Sequence, residues 1–400
     1  MTLDGRALED GPPRSAFLPF SPPLLGAEEK AEVMDTLDSG WLTKGPKTER
    51  FEKEFAAYCG VPHAAPVHSC TAALHLALLA LDIGSDDEVL VPTMTFASTA
   101  HVVAYVGARP VFVDCGPDFN MLADQIEAKI SGRTRAIIPM HYGGQPCDMD
   151  TVLAIARRHN LRVIEDAAHA AGSEYRGKKI GSLESDVACF SFYATKNMTT
   201  GEGGMATSWN GDLIERIKVL SVYGISDARQ IWQRYAPKGS WWYDVVDLGY
   251  KYNMMDLQAA LGIHQLKRLD GFIERRSHFA RMYAEGFGDL DAVTLPPVRG
   301  NIRHAWHLFP ILLQPEQLTI DRNRFIEELR AENVGTSVMY IPLHLHTYYR
   351  KLLGHEPGDF PMAQSLYERV INLPISPKMA DEDVLDVIAA VRRIAKRHRR

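Results

Sequence analysis

The sequence predicts an α/β fold with a large, mostly parallel central sheet flanked by helices and a smaller C-terminal α/β domain. Two observations carry this. Between residues 70 and 210, short β-branched runs alternate with stretches of helical period, the pattern of βα units whose sheet is buried on both faces. Beyond about residue 270 the texture changes, and strand-like and helical segments follow one another at a different spacing. The length, 400 residues, suits about two domains at roughly 150 residues each.

The opening stretch "MTLDGRALEDGPPRSAF" is acidic and Pro-rich. It lacks the apolar segment of a secretory signal and any periodicity, so residues 1–20 are expected as a loose arm. The large domain is expected over 21–270. In it, helical "TAALHLALLAL" leads to strand "EVLVP" (88–92), and "ASTAHVVAYVG" leads to "PVFVDC" (110–115). Next, "LADQIEAKI" leads to "RAIIPM" (135–140), and "MDTVLAIARRHN" to "LRVIEDAA" (161–168). "DVACFSF" (186–192) and "GGMATS" (203–208) complete the set. The small domain is expected over 271–400. There "HAWHLFPILL" (304–313) and "GTSVMYIPLH" (335–344) read as strands around a helix capped by Asp321 and closed by Gly335. A last helix begins near "ADEDVLDVIAAV" and ends in "RRIAKRHRR". Acids at its start and cations at its end suit the helix dipole, and the basic tail is expected to be solvated.

Composition narrows the function. A net charge of −6 gives no global reason to bind nucleic acid. Five scattered cysteines without a CxxC pair fit a reducing compartment better than a disulfide framework. The longest apolar stretch falls short of the roughly 20 residues of a membrane span, so a soluble, cytoplasmic protein without a membrane partner is expected. No phosphate-binding GxxxxGK[ST], no GxGxxG after a strand and no metal-binding HExxH pair is present. His344 and His346 could share a strand face, but without a third ligand motif they predict no metal site.

Four stretches carry chemistry. Ser69, Cys70 and Thr71 stand where a helix begins, either a plain cap or an anion site offering N–H groups and the Thr71 hydroxyl. In "RVIEDAAHA" a strand ends at Glu165-Asp166, where ligands of open α/β sheets bind. Asp166 is there either a helix cap or the partner of a heterocyclic nitrogen, with His169 three residues on. In "FSFYATKNMTTGEGGM", Ser191 and Lys196 project into one cleft, and a lysine shielded from water loses preference for its charged form. It is then competent to form a Schiff base. Gly201, Gly203 and Gly204 let backbone approach a ligand or take positive φ. In "GYKYNMMDLQAALG", Asn253 precedes a helix expected to be buried through Met254, Leu257, Ala260 and Leu261. A phosphate cradle, an acid and an amine together are what pyridoxal 5′-phosphate (PLP) requires.

At these residues the chain resembles the DegT/StrS family of PLP-dependent nucleotide-sugar aminotransferases, from "GAEEKAEVMDTLDSGWLTKG" (26–45) to "LPISP" (373–377). The resemblance implies an aspartate-aminotransferase-like fold in which Lys196 bonds PLP, Asp166 pairs with the ring nitrogen and Phe96 stacks on the ring. It further implies His169 by the phenolic oxygen, and Cys70, Thr71 and Ser191 at the phosphate. Asn253 would complete that phosphate site from the partner chain, which implies a homodimer with shared sites. Cys70, His68 and Met255 depart from the commoner family residues. Lys196 itself argues against the branch that carries histidine there and dehydrates. The expected activity is transfer of an amino group from L-glutamate to C-4 of a UDP-linked 4-keto-sugar, with PLP and its amine form PMP as the carriers. Loop 222–245, with Arg229, is expected to clamp a nucleotide or to pack at the subunit contact. The alternatives are C-3 amination, PLP-dependent dehydration of the sugar, or a non-catalytic regulator.

Overall fold

A computed structural model of the chain describes residues 12–226 and 243–400, together with the backbone of a small Thr2–Leu3/Arg6–Ala7 ribbon. At its centre lie seven strands: β1 (His63–Val67), β2 (Glu88–Pro92), β3 (Arg109–Val113), β4 (Thr134–Ile137), β5 (Arg162–Asp166), β6 (Val187–Ser191) and β7 (Gly204–Ser208). Their spatial order is β1-β7-β6-β5-β4-β2-β3. Only β7 runs against its neighbours; β6, β5, β4, β2 and β3 pair in parallel. Strand β1 was not evident in the sequence, because Ala64, Ala65 and Pro66 give it little β-branched character.

Helices cover both faces. Helix α1 (Ala27–Ser39) packs along α7 (Asp256–Phe287), as does α2 (Pro46–Cys59). The strands alternate: Val89, Val91 and Ile164 join the core with α3 (Cys70–Ala80), α4 (Ala97–Tyr105) and α6 (Gly211–Ser221). Leu90, Val163 and Phe190 join the opposite core with α2, α5 (Met149–His159) and the first half of α7. With both faces covered, the strands read as continuous apolar runs.

Helix α7 has 32 residues, about 48 Å at 1.5 Å per residue. Its Ile263, Leu266 and Leu269 belong to a core of the large sheet. Its Phe279, Tyr283 and Phe287 belong to a separate core built on the sheet β8 (Val293–Thr294), β9 (Phe309–Leu313) and β10 (Val370–Leu373). The passage from one core to the other therefore happens inside a helix. On its N-terminal turns Leu257 and Leu261, expected to be buried, are only half-buried; the inward face is Ala259, Ala260 and Ile263.

Some local expectations need correction. Residues 335–344 form no strand; a single bridge joins Ser337 to Asn372, and Met339 and Tyr340 turn toward a cavity. Asp321 does cap α8 (Arg322–Ala331), accepting from the Arg324 N–H at 2.8 Å. The left-handed turn after that helix is made by Asn333, not Gly335. A Cβ at Gly335 would instead meet the Leu18 carbonyl at 2.8 Å. Leu18, in the expected loose arm, is buried and bridges Val334. The basic end of α9 (Asp381–Arg397) is ion-paired: Arg392 with Asp289, Arg393 with Glu332 and Arg397 with Glu328, which the following His398 also meets at 2.8 Å. No helix among the described residues is long and apolar enough to cross a membrane.

Candidate active site

The carboxyl ends of β5 and β6 and the start of α3 converge on a cavity of about 370 Å³. Open α/β sheets bind ligands at this edge, where the connections leave a crevice. Ser69, Cys70, Thr71, Phe96, Asp166, His169, Ser191 and Lys196 all line it.

Lys196 follows β6 in a turn closed by its own N–H donating to the Tyr193 carbonyl. Its side chain is half-buried. Burial brings its pKa down from 10.5 to about 8, against the opposing pull of Asp166. Such an amine is partly neutral near neutral pH, which a nucleophilic lysine requires. Asp166 ends β5 and is buried. Burial pushes its carboxyl up, while the Thr99 hydroxyl (2.7 Å) and the Ala168 N–H (3.1 Å), both donating to it, hold it down. Glu165 points to the other face of the sheet, as strand alternation demands. There it meets His141 at 2.8 Å and accepts from Ser185.

Ser69 caps α3, its hydroxyl accepting from the Ala72 N–H at 3.1 Å. The N–H groups of the first turn face the cavity end of the helix, a geometry that favours an anion. The Cys70 thiol lies against the Cys189 carbonyl at 3.3 Å and Oδ1 of Asp166 at 4.0 Å. Gly204 makes the approach possible: a Cβ there would lie 2.4 Å from the Ser69 carbonyl carbon. The close approach is thus between β7 and the helix start, while Gly201 takes the positive φ, +78°.

His169 accepts the Gly143 N–H at its Nδ1 (3.2 Å), and its Nε2 lies 2.9 Å from the Tyr340 hydroxyl. Burial, with Lys196 adding, holds the ring neutral, far below its usual pKa. A neutral ring that accepts at Nδ1 carries its proton at Nε2 and donates to Tyr340. Phe96 precedes α4 and is 58% exposed, its ring tilted against Tyr340 at 5.8 Å.

Asn253 is not among the lining residues. It bridges Val67 at the sheet edge, and its Oδ1 is buried without a partner among the described residues. Arg229 lies outside the described residues. His344 is buried and bonded to Thr93 at 2.8 Å, away from the cavity. The sequence did not point to Thr99, Tyr340 or His307. Thr99 belongs to "FASTA", where a hydroxyl among small residues carries no signal, and the other two lie more than 130 positions beyond His169 in the sequence.

A doubly wound sheet with an amine, a carboxylate and a helix start at its carboxyl edge defines the fold-type-I class of PLP enzymes. The chain belongs to the DegT/DnrJ/EryC1/StrS aminotransferase family, whose pattern matches residues 23–392. It is 50% identical over 385 residues to the spore coat polysaccharide biosynthesis protein SpsC of Bacillus subtilis, covering 96% of this chain and 98% of that one. Among solved structures, Spr1654 of Streptococcus pneumoniae in its PMP form superposes with a TM-score of 0.89 at 34% identity, covering 95% of this chain and 99% of that one. PseC of Helicobacter pylori, an aminotransferase involved in the biosynthesis of pseudoaminic acid, gives 0.88 at 28%, covering 96% and 100%. The protein is a sugar aminotransferase of this family.

Proposed function

We propose that the protein moves an amino group from L-glutamate to the C-4 ketone of a UDP-linked 4-keto-sugar, working as a homodimer with shared sites. One observation carries the chemistry. An amine brought to a pKa of about 8 shares a cavity with a buried carboxylate and a helix N-terminus. That donor set fits PLP: amine for the aldehyde, carboxylate for the ring nitrogen, N–H groups for the phosphate. Bound PLP supplies an aldehyde that carries the amino group and a ring that draws electrons from the reacting carbon.

The chain's own residues do the rest. Lys196 Nζ would hold the cofactor's aldehyde end and, as a free amine, would carry a proton from the donor's α-carbon to the cofactor-side carbon of the same C–N unit. Asp166, steadied by Thr99 and the Ala168 N–H, keeps the ring nitrogen protonated. His169 holds the phenolic oxygen side and Phe96 the ring face. Cys70 through its N–H, Thr71 and Ser191 hold the phosphate, completed by Asn253 from the second subunit. Phosphate oxygens only accept, so the Asn253 Nδ2, which in the single chain donates to the Met254 carbonyl at 3.1 Å, is the atom that would make that contact.

Borohydride reduction followed by peptide mapping tests the centre of this reading, with the label expected on Lys196. A panel of keto-sugar nucleotides with glutamate, read by mass spectrometry, tests the rest. Amine transfer to C-4 with release of 2-oxoglutarate is the expected result; amination at C-3, or loss of a hydroxyl, would replace it.

A further inference from the structure

His307 lines the same cavity, is 1% exposed, and has no hydrogen-bond partner at either ring nitrogen among the described residues. A buried polar side chain left unsatisfied is costly, and native proteins keep few of them. The fold nevertheless holds this one firmly. The Arg276 guanidinium, fully buried, donates to the carbonyls of Trp306 (3.1 Å) and Ile375 (2.7 Å). The Leu308 N–H donates to the Gly143 carbonyl (3.2 Å), and the Ala305 N–H to the Gly144 carbonyl (3.1 Å). The Asn197 amide, next to Lys196, donates to the Ala305 carbonyl at 2.7 Å. Three separate parts of the chain thus converge to fix the backbone on which His307 stands.

We propose that His307 binds a hydroxyl of the sugar half of the substrate, an inference that rests on the sugar-aminotransferase reading above. The ring sits 4.3 Å from His169, centroid to centroid. Burial and the neighbouring His169 and Lys196 favour its uncharged form. An uncharged imidazole presents one N–H and one lone pair. A carboxylate, such as that of the amino donor, only accepts, and meets half of that set; a hydroxyl both donates and accepts, and meets either half. Tyr340 flanks His169 from another side and receives the His169 N–H, so its own O–H is free to point at a second oxygen. No arginine lines the cavity among the described residues, which again suits an uncharged polyol over an anion at this wall.

The test separates the two half-reactions of PLP-loaded enzyme. Glutamate is added to follow loss of absorbance at about 420 nm, and a UDP-4-keto-hexose is then added to follow its return. His307→Phe, which keeps a ring but no hydrogen bond, should lower kcat/KM of the sugar half-reaction by about tenfold more than that of the glutamate half-reaction. The loss should sit in KM, and His307→Asn should recover part of it. Sugar analogues lacking one ring hydroxyl should include one that wild type discriminates against and the Phe variant does not. Equal losses in both half-reactions, or a larger loss with glutamate, would overturn the proposal, as would a variant that still discriminates every deoxy analogue. Thermal melting and PLP absorbance establish that each variant is folded and loaded; should His307→Phe fail there, His307→Leu takes its place. Wild type that turns over no keto-sugar nucleotide sinks the parent reading instead, which is a separate outcome.

Discussion

The Thr99 hydroxyl donates a 2.7 Å hydrogen bond to Oδ2 of Asp166 and is itself 2.7 Å from the Thr95 hydroxyl. All three groups are buried. The carboxylate assigned to the ring nitrogen is therefore held from the first turn of α4, not only from its own strand. Thr99→Val leaves a buried acceptor unpaired and should cost about 1–3 kcal/mol of stability, read as a lower Tm. It should also push the Asp166 carboxyl further up and weaken PLP retention, measured by titration of the cofactor-free protein. Thr99→Ser keeps the hydroxyl and should preserve most of both.

Asp166→Ala removes the carboxylate proposed as the partner of the ring nitrogen. The phosphate contacts and Lys196 are untouched, so the variant should still take up PLP, with most of the transfer activity lost. Unchanged turnover in a glutamate-dependent assay would refute the electron-sink role.

Lys196 predicts a pH dependence. Its pKa falls from 10.5 to about 8 through burial, so the amine is protonated and inert below 8 and neutral above it. The rate of PLP uptake by the cofactor-free protein should climb about tenfold per pH unit below 8 and level off above. A rate still rising through pH 10 would mean an ordinary, solvated lysine. Lys196→Ala should keep the fold and take up PLP without forming a borohydride-stable link.

Sharing of sites between subunits has its own test. Asn253 lies off its own cavity, and its Nδ2, the atom able to donate to a phosphate, is turned to the Met254 carbonyl. Mixing Lys196→Ala with Asn253→Ala, each impaired alone, lets half of randomly re-formed dimers carry one intact site. About a quarter of wild-type activity should return. No recovery after exchange of subunits, followed by mass spectrometry, would place Asn253 in its own subunit's site or in none.

The large central sheet was legible because its strands are buried on both faces. Val89, Leu90 and Val91 have to be apolar together, and that run stands out against helices of period 3.6. The lysine, acid and helix-start motifs were legible because each is local in sequence. What the sequence withheld was tertiary. Residues 335–344 have a strand's composition, yet Met339 and Tyr340 face the cavity and the segment pairs only at Ser337. His307 and Tyr340 approach His169 from more than 130 positions away, a proximity that no spacing rule encodes. Leu257 and Leu261 fit a buried helical stripe in pattern but are half-covered in the single chain.

The Asn197–Ala305 bond ties the residue after the reactive lysine to the strip that carries His307. This amide couples the Lys196 turn directly to the His307 strip, which Arg276 and the Gly143 and Gly144 carbonyls also hold. Remodelling the cavity for a bulkier substrate would therefore start at Ser98, because widening the interior beside His307 would pull on Lys196 itself.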